Sequence, residues 1–131
     1  MKREHEECRF KAYFMFSLLV FLIFPQFGVR MPGSSKLERD FQSQLIKDLK
    51  FIFPGCMVMK LDSGYIQGIP DLLVLWNDKW ATLECKRSAR ASHRPNQSYY
   101  VDKMNEMSFS RFIFPENKEE VLNELQQAFR A

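Results

Sequence analysis

The stretch Pro70 to Lys86, PDLLVLWNDKWATLECK, constrains this chain more than any other. Two apolar runs flank Asn77-Asp78, a dipeptide suited to a two-residue turn, so they read as an antiparallel hairpin of Pro70–Trp76 and Lys79–Lys86. Alternate side chains of a strand share a face. Glu84 and Lys86 therefore point the same way, with Trp80 and Thr82 ahead of them, while Ala81, Leu83 and Cys85 point to the other side. Asp71, Leu73 and Leu75 share one face of the partner strand. Closing the hairpin brings Asp71 alongside Glu84 and Lys86, at the rim of a sheet whose neighbouring positions are apolar.

Charges placed there are costly unless they are paired or bound to a metal. Two converging carboxylates suit a hard divalent cation, Mg²⁺ above all, with water and phosphate in its remaining positions. A lysine beside such a site can orient a water, take its proton, or steady charge on a phosphoryl group. The plainer alternative is an ion pair of Asp71 or Glu84 with Lys86 that caps the end of a sheet.

The rest of the chain supplies the frame. KLERDFQSQLIKDLKFIF carries Leu37, Phe41, Leu45, Leu49 and Ile52 at helical spacing, with Ser35 as N-cap and Glu38 three residues on. Pro54-Gly55 ends that helix, Cys56–Leu61 forms a short strand, and Asp62–Gly68 forms a loop. After the hairpin, Pro95 opens a second helix, Ser108–Phe114 gives a fourth strand, and a last helix follows Pro115. A chain of 131 residues is one domain by length. The expected fold is α/β, a single mixed four-stranded sheet flanked by helices, with core order α-β-β-β-α-β and an extra C-terminal helix.

Three further features bear on the hairpin's charged end. On a helical wheel Leu37, Phe41, Leu45 and Leu49 fill an arc of about 120°, and Glu38 falls inside it at about 100°. Its other role is half of a capping box with Ser35. Gln97, with Val101 and Met104 at i+4 and i+7, lies on the inward side of the second helix. The run KRSARASHRPNQ holds Lys86, Arg87, Arg90 and Arg94, with no acid between Cys85 and Val101. Net charge from Met31 onward is only +1, so this basicity is local, and it leaves the charged end of the hairpin where a polyanion would lie.

GIPDLLV followed by LECK resembles the signature of the PD-(D/E)XK nuclease superfamily, a proline-aspartate and then Glu-x-Lys. Within it, the chain is most similar to the VRR-NUC type, which shares Gly-x-Pro-Asp, Glu-x-Lys and a glutamine opening the next helix, here Gln97. ERDFQSQLIKDL ahead of a DSG loop is also similar to archaeal Holliday-junction resolvases. The resemblance spans Lys36 to Phe114, about 60% of the chain. It implies that Asp71, Glu84 and the backbone carbonyl of Cys85 ligate Mg²⁺, with Mn²⁺ as an expected substitute, and that Lys86 positions the attacking water. It further implies that Glu38 and Gln97 support the site and that Ser63 touches phosphate; the basic run itself adds Arg87, Arg90 and Arg94 as expected contacts along the nucleic acid.

The implied activity is metal-dependent hydrolysis of phosphodiester bonds, as a structure-selective DNA endonuclease of junction-resolvase kind, with RNA left open. Nothing in the chain looks able to read base edges, so target choice falls to shape, to a homodimer or to a partner protein. Tyr99 and Tyr100 offer rings for unpaired bases. The alternative reading is a non-catalytic nucleic-acid-binding module that keeps the fold.

The N-terminal 35 residues stand apart from the domain expected over 36–131. Ala12–Phe24 is thirteen uncharged, mostly apolar residues, too short for the about 20 a membrane-spanning helix needs. It fits a signal-peptide core behind Lys2, Arg3, Arg9 and Lys11, a membrane-surface anchor, or a dispensable leader upstream of a start at Met31. The odd set of Cys8, Cys56 and Cys85 lacks zinc-site spacing and points to free thiols in a reducing, cytoplasmic setting, with secretion or membrane association left open by the leader.

Overall fold

The computed structural model of the chain describes residues 34–131; the apolar stretch Ala12–Phe24 and the alternative start at Met31 lie outside the described residues. The order is α1 (Ser34–Ile52), β1 (Met57–Lys60), β2 (Leu72–Trp76), β3 (Lys79–Cys85), α2 (Pro95–Met107), β4 (Phe109–Ile113) and α3 (Lys118–Arg130). The α-β-β-β-α-β-α order is the one the sequence leads to. The first helix begins at Ser34, so Ser35 sits inside its first turn and not at the cap position expected from the Ser-x-x-Glu pattern. The strands are shorter than the apolar runs, because Pro70, Asp71 and Lys86 lie just beyond the paired residues.

The four strands form one sheet in the order β1-β2-β3-β4. The first three make an antiparallel meander, and α2 carries the chain across to β4, which runs parallel to β3. Asn77 turns the β2–β3 hairpin with a φ of 56°, the left-handed conformation that tight hairpin turns need and asparagine tolerates. The register sets Leu72 opposite Leu83 and Val74 opposite Ala81, so the fully buried apolar residues of both strands fall on one face, while Leu73, Leu75 and Trp80 lie on the other.

That face carries the core. Leu45, Leu49 and Phe53 of α1 and its end, and Val121, Leu122, Leu125 and Phe129 of α3, pack with Leu72, Val74, Ala81, Leu83, Cys85, Phe109 and Ile113. Trp76 closes one end, stacked on Phe129 and tilted against Phe53, with its indole N–H donated to the Pro54 carbonyl at 3.1 Å. The opposite face carries Thr82, whose hydroxyl bonds Ser110 at 2.8 Å beneath Met104 of α2, and then Glu84. Among the described residues, no helix is long and apolar enough to cross a membrane.

Candidate active site

Carried one step past Leu72–Leu83, the β2–β3 register sets Asp71 opposite Glu84. Asp71 and Lys86, at the two ends of this group, are anchored through their backbones. Asp71 O accepts from Leu61 N at 2.9 Å, and Lys86 N donates to Ile113 O at 2.8 Å, extending the pairing by one residue on each side. The side chains of Asp71, Glu84 and Lys86 thus issue from fixed points at one end of the sheet.

Their connections are specific. Asp71 Oδ2 accepts the Cys85 N–H at 2.8 Å, which clamps the one residue lying between Glu84 and Lys86. Lys86 Nζ stands 3.4 Å from Glu84 Oε1 and donates to Gln97 Oε1 at 2.8 Å. Gln97 Nε2 in turn donates to Glu84 Oε1. The same Gln97 Oε1 accepts the Arg94 N–H at 3.1 Å, the return half of a capping box at the start of α2, where Pro95 takes the first helical position. One amide therefore spends both acceptor sites of its oxygen, on Lys86 and on Arg94, and a donor on Glu84.

The charges are buried and unbalanced. Glu84 is 2% exposed and Lys86 7%. Burial, and next the negative charge of Asp71, push the Glu84 carboxyl up to about 7, against a smaller opposing pull from Lys86. Asp71 is also raised, first by burial, with the Cys85 N–H working against it and the charge of Glu38 reinforcing it. Burial pushes the Cys85 thiol up as well, so it is a neutral core group. Glu84 Oε2 is buried without a hydrogen-bond partner among the described residues. An unpaired buried acceptor costs about 1–3 kcal/mol, more when it is charged.

A cation would relieve each of these strains, and the donors suit a hard one. Among the described residues, no three His, Cys, Asp or Glu side chains are grouped to hold a metal ion. Asp71 and Glu84 would need a further oxygen, and the Cys85 carbonyl fits. In a strand the N–H and C=O of one residue face the same side, and Cys85 turns its N–H to Asp71. The residue opposite Cys85 in the register is Pro70, which has no N–H to offer that carbonyl.

Beside the carboxylates lies a cleft of about 450 Å³. Ser63 and Gln67–Ile69 form one wall, Arg94–Gln97 the other, and Asp71 the inner end. Gly68 sets the spacing of these walls. Its φ is +93°, and a Cβ there would lie 2.6 Å from Asn96 Cβ and 2.7 Å from the Asn96 carbonyl carbon. Only glycine lets the loop approach the helix so closely.

The structure brings together Asp71, Glu84, Lys86, Gln97 and the Cys85 backbone. Glu38 comes near enough for its charge to act on both carboxylates. Ser63 and Arg94 line the adjoining cleft. Arg87 and Arg90 are exposed in the loop before α2 and are not among the cleft residues.

Four contributors are absent from the sequence-derived set. Gln42 hydrogen-bonds the Cys85 thiol, and its place one helical turn after Glu38 is a signal for it. Gly68 and Asn96 meet across the cleft, a contact between distant segments that no local pattern announces. His93 stacks on Phe112 at 4.0 Å between centroids, which pins the end of the basic loop to β4. No protein-family model matches this sequence, and no curated protein matches it either.

Proposed function

We propose that the chain is a metal-dependent nuclease of the PD-(D/E)XK type that hydrolyses phosphodiester bonds in nucleic acid, DNA before RNA. The observation that carries this reading is the buried group of Glu84 and Lys86, 3.4 Å apart, with Asp71 on the backbone between them and one Glu84 oxygen left without a partner. A simple ion pair capping a sheet needs one acid and one base. A second raised carboxylate, an orphan oxygen and an amide bridging acid to base exceed that need.

Asp71, Glu84 and the Cys85 carbonyl would hold Mg²⁺, which when bound supplies Lewis acidity to a phosphoryl oxygen and acidifies a coordinated water. Lys86 has three donors, and Gln97 and Glu84 engage two of them. The third is free to hold a water or a phosphoryl oxygen at the mouth of the site. Gln97 keeps that ammonium from swinging, and Glu38 adds negative charge that favours a cation over a bare site. None of Arg87, Arg90 and Arg94 forms a salt bridge with another described residue, so their charge is available to a phosphate backbone.

The test is cleavage by the full chain of a supercoiled plasmid, a four-way junction, a single-stranded oligonucleotide and an RNA. Each is run with Mg²⁺, with Mn²⁺ and with EDTA. Metal-dependent cutting by the wild type that is lost in Glu84→Ala and in Lys86→Ala supports the reading. Absence of cutting on every substrate, with binding that survives both changes, overturns it in favour of a binding module.

A further inference from the structure

The cleft beside the carboxylates is built for something other than a phosphate. A phosphate subsite concentrates cations and backbone N–H groups. Apart from Asp71 and Gln97, which belong to the charged site, this one offers a single guanidinium, Arg94, and three neutral polar side chains, Ser63, Gln67 and Asn96. None of those three side chains forms a hydrogen bond with another described residue. Ile69 and Pro95 supply apolar surface between them. Amide and hydroxyl groups around an apolar slot are the complement of a nucleobase, which presents a hydrogen-bonding edge and two apolar faces.

Size and position agree with that chemistry. A volume of about 450 Å³ lies within the ~300–1,000 Å³ typical of small-ligand clefts and leaves no room for a stacked duplex. The cleft shares Asp71 and Gln97 with the charged site, so its occupant would be a neighbour of the reacting phosphate. Its width is fixed by the Gly68–Asn96 approach rather than left to mobile side chains. Tyr65, in the same loop as Ser63 and Gln67, is 87% exposed, a large aromatic ring that the fold leaves in solvent.

Resting on the nuclease reading, we infer that the cleft is a nucleoside pocket that takes an unpaired nucleotide flanking the scissile phosphate. The base lies against Ile69 and Pro95, and its edge is met by Ser63, Gln67 and Asn96. Arg94 at the helix start meets the adjoining phosphate. A base held in a duplex must be unstacked to enter, whereas an unpaired base enters freely. The site is therefore selective for nucleic acid with a single-stranded or unpaired nucleotide at the cleaved bond.

The experiment reads binding, so that it does not depend on cleavage. Fluorescence anisotropy with the full chain and Ca²⁺ compares four labelled DNA probes. They are a continuous duplex, the same duplex with a short single-stranded gap, a single strand, and that strand with abasic residues at its centre; RNA versions of the two intact single-stranded and duplex probes distinguish the sugar. The expected result is binding about tenfold or more tighter to the gapped and single-stranded probes than to the duplex. Abasic substitution should remove most of that gain. Gln67→Ala combined with Asn96→Ala, two exposed positions, should abolish the dependence on the base without changing duplex binding.

Equal binding to intact and abasic strands, or a base dependence that survives the double substitution, overturns the pocket even if the protein cleaves DNA. If the protein cleaves nothing and the base dependence and its loss on substitution are still seen, the nuclease reading falls and the pocket stands.

Discussion

Lys86 Nζ donates a 2.8 Å hydrogen bond to Gln97 Oε1, and the other end of the same amide donates to Glu84. The acid and base of the site are thus oriented by one neutral side chain. Gln97→Ala frees both and also removes the acceptor of the Arg94 N–H. Loss of an outer partner of this kind costs about 10–100-fold in metal affinity or activity. Gln97→Glu keeps an acceptor for Lys86 and Arg94 but faces Glu84 with a second charge. Cleavage kinetics and melting curves of the two variants should separate the roles: both should lose activity, and the Glu variant should keep the Arg94 cap that the Ala variant loses.

Glu84 gives the fold a pH dependence of unusual sign. The free carboxyl titrates near 4.5, and in the native protein near 7, so between these values the native state binds the extra proton. Stability without metal therefore falls as pH rises through that window, and the full penalty, about 3 kcal/mol, is present above it. Denaturant titrations in EDTA at pH 5 and pH 8 should show the loss. Glu84→Gln should flatten the profile and be the more stable protein at pH 8.

Divalent cation should reverse that penalty. Mg²⁺ at a hundredfold excess over its dissociation constant stabilises by about 2.7 kcal/mol, read as a rise in melting temperature that EDTA cancels. Asp71→Ala and Glu84→Ala should abolish the rise. Asp71→Ala should also lower the metal-free melting point, because it orphans the Cys85 N–H now bound at 2.8 Å, a loss of about 1–3 kcal/mol.

Gly68→Ala should damage the site from outside it. The added methyl meets the Asn96 backbone in a left-handed conformation that alanine resists. The expected cost is about 1 kcal/mol or more in stability, with a loop displaced from the start of α2. Substrate affinity should fall more than the melting temperature accounts for, and a parallel Ser63→Ala variant should show no loss of stability.

Leu83→Ala probes the frame alone. Leu83 is fully buried at the centre of the sheet, between β2 and β4. Truncation there should cost about 2–5 kcal/mol in a denaturant titration.

Much of this was legible in the chain itself, and for definable reasons. The hairpin could be read because Asn77-Asp78 fixes a two-residue turn and a two-residue turn fixes register, which decides what stands opposite Asp71. Pro95 marked the start of α2 because its missing N–H is tolerated only there. Glu38 was visible as a charge inside an apolar arc. The contact of Gly68 with Asn96 was hidden, since it joins a loop to a helix across two strands and leaves no periodicity in either. The first helix starts at Ser34 although the Ser-x-x-Glu pattern favours a start after Ser35. Capping patterns locate such ends only to within a residue or two.

The capping role of Gln97 has a consequence for how the site comes apart. The bond that closes the first turn of α2 and the bond that aims Lys86 end on one oxygen atom. Fraying of that turn, the commonest small opening a helix undergoes, cannot leave the site intact. The Arg94 amide proton is consequently a built-in reporter. Its exchange rate with solvent records how often the acid–base pair is disassembled, without substrate, metal or chemistry in the tube.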